Sequence, residues 1–385
     1  MEDRIRHIGT KLFTPRNHAY IAASTVLVGM TVHGTAGYNF YLFAALAGLA
    51  VMWVQWPDTK VMILLGFYAV SILMMPFSSL LWGDGRADVN MLFIMATMPA
   101  FCMVLVPSNV ARKALELCFT WGAMVFAFSL VIDGLFGDET LLRFSGVANN
   151  TNSVSCFLLL ATAFMCWKNY SGKMAFIALL LIGQYLTGSR MGIGMTAIVI
   201  FIALLHSEDR LSILGGLLLA TLGSLVLFPQ VADTLAQRTE ISVLTHQAID
   251  RSTFVQYGQT SHFLPTGALS RTANDTHFTF LRIAQEAGLL ASLSLVTLFM
   301  LAWKRANGAF RVALILMLAS MSVDLQYWMP PNTVGFLWLF MAAILKGVAY
   351  ESTDNTLGLD AWNDSSAGIS AINSLRINNR PRRSI

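Results

Sequence analysis

The chain has 385 residues, of which 56% are hydrophobic and only 12% charged, and its formal net charge is +4. Soluble domains carry about 25% charged residues, so the composition excludes an ordinary soluble enzyme. The modest net charge gives no argument for nucleic-acid binding.

Apolar runs of roughly 17 to 23 residues recur along most of the chain, each long enough to cross about 30 Å of hydrocarbon. Arg4, Arg6, Lys11 and Arg16 precede the first run without a cleavable-signal pattern, so that run reads as a retained span. In chain order the expected spans are 19–36, 38–55, 60–82, 90–106, 113–135, 153–167, 173–187, 191–205, 211–228, 284–303, 309–328 and 333–349. The expected fold class is therefore all-α, a polytopic membrane helical bundle of about 12 transmembrane helices. Residues 1–18 form a cytoplasmic N-terminus, 19–228 and 284–349 the bundle, 229–283 a longer periplasmic loop, and 350–385 a tail. That tail is rich in Asn, Ser, Asp and Gly and ends in RINNRPRRSI, a composition that predicts a disordered cytoplasmic segment.

Charge supports this threading. Lys11, Lys60, Lys113, Lys168, Lys173, Lys304 and Lys346 all fall on the N-terminal side, as the positive-inside rule predicts for a cytoplasmic face. The short connections WPDTK, PSNVARK, KNYSGK, HSEDR and KRANGAFR land there too, as do Arg376, Arg380, Arg382 and Arg383. The opposite side holds Arg86, Arg143, Arg190, Arg238, Arg251, Arg271 and Arg282, with no lysine among them. A planar fork that grips phosphate bidentately is a reason for arginine to cross against the bias. Cys102, Cys118, Cys156 and Cys166 lie in apolar spans and read as free core thiols.

Three outward segments break the apolar pattern: 136–152, the tight connection around 186–192, and 229–283. The last is a poor spacer, because Phe254, Tyr257, Phe263 and Leu264 give it surface to dock with, and loops beyond about 12–15 residues are often functional. LTGSRMGIGM (Leu186 to Met195) and RFSGVANNTNSVS (Arg143 to Ser155) fill the first two segments. DRSTF (Asp250 to Phe254) and NDTHFTFLRIAQEAGLL (Asn274 to Leu290) belong to the third. In order and spacing these four resemble the motifs of the bacterial O-antigen ligase and polysaccharide polymerase superfamily, over roughly residues 60–350.

The resemblance implies a periplasmic-face glycosyltransferase of the inner membrane. It would move a glycan from undecaprenyl diphosphate to an acceptor hydroxyl, with no metal, cofactor or nucleotide sugar. Phe278 and Ala291 stand where ligases carry polar residues, and Met191 where glycine is frequent, which shifts the expectation towards a repeat-unit polymerase. Ligation onto a lipid A core is the alternative, and a lipid-linked sugar transporter or flippase is the rival from another class. The expected partners are the lipid-linked donor, a glycan or lipid acceptor, membrane lipid, and a chain-length regulator or flippase.

The residue types suit that chemistry. Charge developing on a diphosphate leaving group calls for fixed cations, each worth about 3–4 kcal/mol. Arg190 and Arg251 are the expected diphosphate ligands, with Arg143 and Arg271 as further substrate-binding members. His277 is the expected catalytic base, since an unperturbed imidazole titrates near about 6.5. Asp275 reads as a helix cap and Glu286 as laterally offset from His277. Asp133 and Asp324 sit near outer span ends, where an acid reads as functional by default, and Asp324, followed by Gln326, Tyr327 and Trp328, reads equally as an interfacial polar cluster.

Overall fold

The computed structural model describes residues 15–31, 58–75, 108–137, 143–148, 150–167, 172–207, 209–244, 279–306, 308–323 and 331–347, with isolated positions between 95 and 103. Among these the protein is all-helical, without strands. The helices are α1 (Pro15–Thr31), α2 (Thr59–Leu73), α3 (Ser108–Leu117), α4 (Ala123–Phe136), α5 (Thr151–Cys166), α6 (Lys173–Leu186) and α7 (Arg190–His206). They continue as α8 (Arg210–Leu227), α9 (Pro229–Leu244), α10 (Thr279–Glu286), α11 (Leu289–Arg305), α12 (Gly308–Val323) and α13 (Pro331–Gly347). One π-turn, Cys118–Gly122, joins α3 to α4. A Cβ on Gly122 would lie 2.2 Å from Leu27 Cδ2, so glycine lets α1 cross close to that turn.

Side-chain oxygens begin several helices. Asn150 accepts from Ser153 N at 3.0 Å for α5, Ser189 from Gly192 N at 3.3 Å for α7, and Asp209 from Ser212 N at 3.3 Å for α8. The centre of the bundle is α5, buried at every residue from Ser153 to Cys166, as a helix apolar on all sides requires. Phe157 on α5 meets Phe119 at 5.9 Å, Phe126 at 5.4 Å and Phe336 at 5.1 Å between ring centroids. Phe164, two turns further, meets Phe119 and Phe310.

The outer helices turn apolar side chains outwards instead. Leu211 and Val226 on α8 are 83% and 75% exposed, and Phe136 at the end of α4 is 84% exposed. Among the described residues two helices, Val110–Phe136 and Arg210–Leu227, are long and apolar enough to cross a membrane, and other apolar helices have 10–17 residues.

Helix ends collect in two groups. One contains the start of α2 and the ends of α11 and α13: Arg305 pairs with Asp58 at 3.0 Å and donates to Leu345 O. The end of α5 and start of α6 belong with it, through Phe164 against Phe310 and Lys173 on Cys166 O. All five described lysines, Lys60, Lys113, Lys173, Lys304 and Lys346, lie near these ends, so it is the lysine end. The other, arginine end joins residues 143–152 to 186–190 and to Phe228.

Two segments differ from the sequence expectation. Residues 229–244, expected within a loop, form α9, with Pro229 at its first position, where a missing N–H costs nothing. The expected span 284–303 does not begin at 284: the chain breaks after Glu286 and restarts as α11 at Leu289. Gly288 makes that break at φ +87°, a conformation glycine takes without strain. The expected second span 38–55, most of the fourth, and the tail lie outside the described residues.

Candidate functional site

At the arginine end, LTGSR is a tight reversal between α6 and α7. Gly188 takes φ +58°, its N–H donates to Tyr185 O at 3.0 Å, and Thr187 Oγ1 donates to Gln184 O at 2.7 Å. Ser189 then caps α7, which leaves Arg190 as the first helical residue, exposed on the rim.

The first turn of α7 sits directly on that of α5. Gln184 Nε2 donates to Ser155 Oγ at 2.6 Å, and a Cβ on Gly192 would come within 1.8 Å of that hydroxyl. Only glycine at 192 permits the approach. Both helices therefore begin at the same rim and run the same way. Each helix start carries roughly half a positive charge from aligned peptide dipoles, so Arg190 adds a cation where the backbone field is already positive. Placing it there opposes the dipole by about 0.3–1 kcal/mol unless an anion compensates.

Arg143 has a different task. Its Nε donates to Thr187 O at 3.1 Å and its Nη2 to Asn152 Oδ1, which fastens the 143–148 segment to the LTGSR turn and to the start of α5. Phe144 N adds a bond to Leu186 O at 3.2 Å. The guanidinium is thus a positioning group for the rim.

Asp133 belongs to the same scaffold. Its Oδ2 accepts from Gly146 N at 3.2 Å, while Ser129 Oγ accepts from Val147 N at 3.3 Å. Together they hold the short turn Gly146–Ala148, with Gly146 at φ +55°. Tyr185 Oη donates to Phe228 O at 3.1 Å, joining α6 to the α8–α9 junction.

Arg282 and Glu286, one helical turn apart on α10, form a buried ion pair, 3% and 1% exposed. Ser292 Oγ donates to Phe280 O at 2.9 Å, and Phe280 stacks edge-on against Phe299 at 5.8 Å, so α10 is folded back onto α11. Arg282 does not stand on the open rim. α10 starts two residues after His277 in the sequence.

Of the expected site residues, Arg190 and Arg143 come together through the LTGSR turn. Arg251, Arg271, His277, Asp275 and Asp324 lie outside the described residues. Gln184 and Ser155, which seat the two helix starts together, have no local motif; Gly192 beside them was the legible sign of a close approach. The chain matches no known protein-family model and no curated protein, so the likeness of its motifs rests on those residues themselves.

Proposed function

We propose that this protein is a polytopic inner-membrane glycosyltransferase, working at the periplasmic face as a polysaccharide repeat-unit polymerase. The observation that carries this reading is Arg190, exposed at the start of α7 beside the start of α5. A cation set on two helix starts favours a concentrated anion, and a lipid diphosphate brings one to a membrane rim. Outward-facing leucines on α8, with lysines confined to one end, support placing the bundle in a bilayer of about 12 crossings. Helices of 14–17 residues rise only about 21–26 Å, so flanking residues complete each crossing.

In this reading the lysine end is cytoplasmic and the arginine end periplasmic. Arg190 and Arg251 hold the donor diphosphate. The acceptor hydroxyl oxygen attacks the anomeric carbon, and His277 takes its proton. The bond from that carbon to the diphosphate oxygen breaks, its electron pair leaving with undecaprenyl diphosphate, and the anomeric configuration inverts. Arg143 and Asp133 keep the rim in shape, and Arg271 adds a further contact to substrate.

The test uses cells lacking the native copy, complemented with wild type or His277→Ala at matched protein levels. Lipid-linked intermediates, polymer and lipopolysaccharide are analysed together. Single repeat units accumulating while polymer disappears is the expected result. Finished polymer stranded on its carrier would move the assignment to a ligase. Unchanged glycans in the full deletion would overturn transfer altogether and favour a transporter.

A further inference from the structure

Below the rim, α6, α7 and α8 enclose a groove of about 430 Å³, within the size range of small-molecule pockets. Its walls are largely apolar, with Ile193, Ile200, Leu204 and Leu217 among them, and exposed Phe201 and Leu225 flank its open side. Gln184, Tyr185, Thr196, Thr221 and Ser224 interrupt this lining with polar groups, and two of these carry an unmet hydrogen-bonding atom. Gln184 Oε1 and Thr196 Oγ1 are the buried side-chain atoms without a hydrogen-bond partner among the described residues, in side chains 2% and 4% exposed. Each such atom left unsatisfied keeps the desolvation penalty of a buried polar group.

Both residues line the same groove. Gln184 lies against Gly192, and Thr196 is four residues further along α7, a rise of about 6 Å. Gln184 Oε1 accepts only, whereas the threonine hydroxyl can donate. A hydroxyl satisfies both. An isoprenoid or plain alkyl chain satisfies neither. Along α7 the lining runs from Ile193 and Thr196 near the rim to Ile200 and Leu204 towards the opposite end, so the chain's polar group must lie near its head and its methyl end deeper.

We propose that this groove binds a membrane lipid through an acyl chain bearing a hydroxyl near its carboxyl end. The proposal rests on the membrane placement given above, but not on glycosyl transfer. Its head group emerges at the rim that carries Arg190, next to the proposed donor site.

The test is native mass spectrometry of the full-length protein in detergent, titrated with 3-hydroxytetradecanoic acid or tetradecanoic acid. Wild type should bind the hydroxy acid about tenfold more tightly. Thr196→Val should lose that preference with the plain acid unaffected, and Thr196→Ser should keep it. Ile200→Trp, which fills the groove, should block both probes. Equal affinity for the two acids would mean that ordered water alone serves Gln184 and Thr196, and would overturn the proposal. So would binding that survives Ile200→Trp, or no binding by either acid. Carbonate-washed membrane fractionation tests the placement separately, and none of these readouts requires transfer activity.

Discussion

At the lysine end, cations reach for helix carbonyls. Lys173 donates to Cys166 O, Arg210 to Leu205 O, Arg305 to Leu345 O and Lys346 to Met103 O. These contacts satisfy groups that a helix end leaves open and follow the dipole. At the arginine end, Arg143 does the same work on Thr187 O, but Arg190 stands exposed on the start of α7. Lys173 and Arg210, like Arg190, are first residues of helices, so what sets the arginine end apart in the proposed function is the anion held at the membrane rim. In the proposed function this difference is what makes one end a chemical site and the other an anchor.

The contrast can be broken most forcefully at Arg282, an arginine assigned to the outer side yet buried against Glu286. Arg282→Met should lower stability by about 3–5 kcal/mol, because it leaves a buried carboxylate uncompensated. Arg282→Met with Glu286→Leu should recover most of the loss in detergent thermal unfolding. A single variant as stable as wild type would show that the pair is not the anchor of α10.

Lys173→Met sharpens the contrast from the other end. It should cost about 1–3 kcal/mol in the same assay by removing the charged donor to Cys166 O, which keeps only the bond from Ser207 Oγ, with transfer per folded molecule unchanged. Lost transfer at full stability would move the site to the lysine end.

Gly188→Ala should cost about 1–2 kcal/mol, the penalty for a side chain at φ +58°. It should also reduce transfer, since the same turn aims Arg190.

The smallest effect concerns Asp209. The hydrogen bond from Ser212, aided by Lys173, holds its carboxyl below the ordinary range. A carboxyl lowered on folding contributes stability above its unfolded pKa and loses it as pH falls through the folded value. Wild type should therefore exceed Asp209→Asn in melting temperature by a constant margin around neutrality, and the margin should close in acid. A margin that widens in acid would contradict the assignment.

Hydropathy made the bundle legible. The expected spans 153–167, 173–187, 191–205 and 211–228 fall within two residues of α5 to α8 at both ends, because capping residues and apolar runs coincide there. The break before α11 was less visible, since Ala287, Leu289 and Leu290 continue the apolar pattern across Gly288. α9 differs from the loop expected at 229–244, although Pro229 followed by Val231 and Leu235 is a helix-start pattern.

At the site, LTGSR and its arginine were legible as a turn with a chemical group on it. The roles of Arg143 and Asp133 were not, because they depend on partners 44 and 13 residues away. The pairing of Arg282 with Glu286 was available from their spacing of four.

The most direct test is the initial rate of glycan transfer in proteoliposomes carrying the lipid-linked donor, with Arg190→Ala measured against wild type. A fall of about 10²–10³-fold at unchanged melting temperature is the predicted result, with Arg190→Lys recovering part of it. A rate for Arg190→Ala near that of wild type would contradict a diphosphate site at the arginine end.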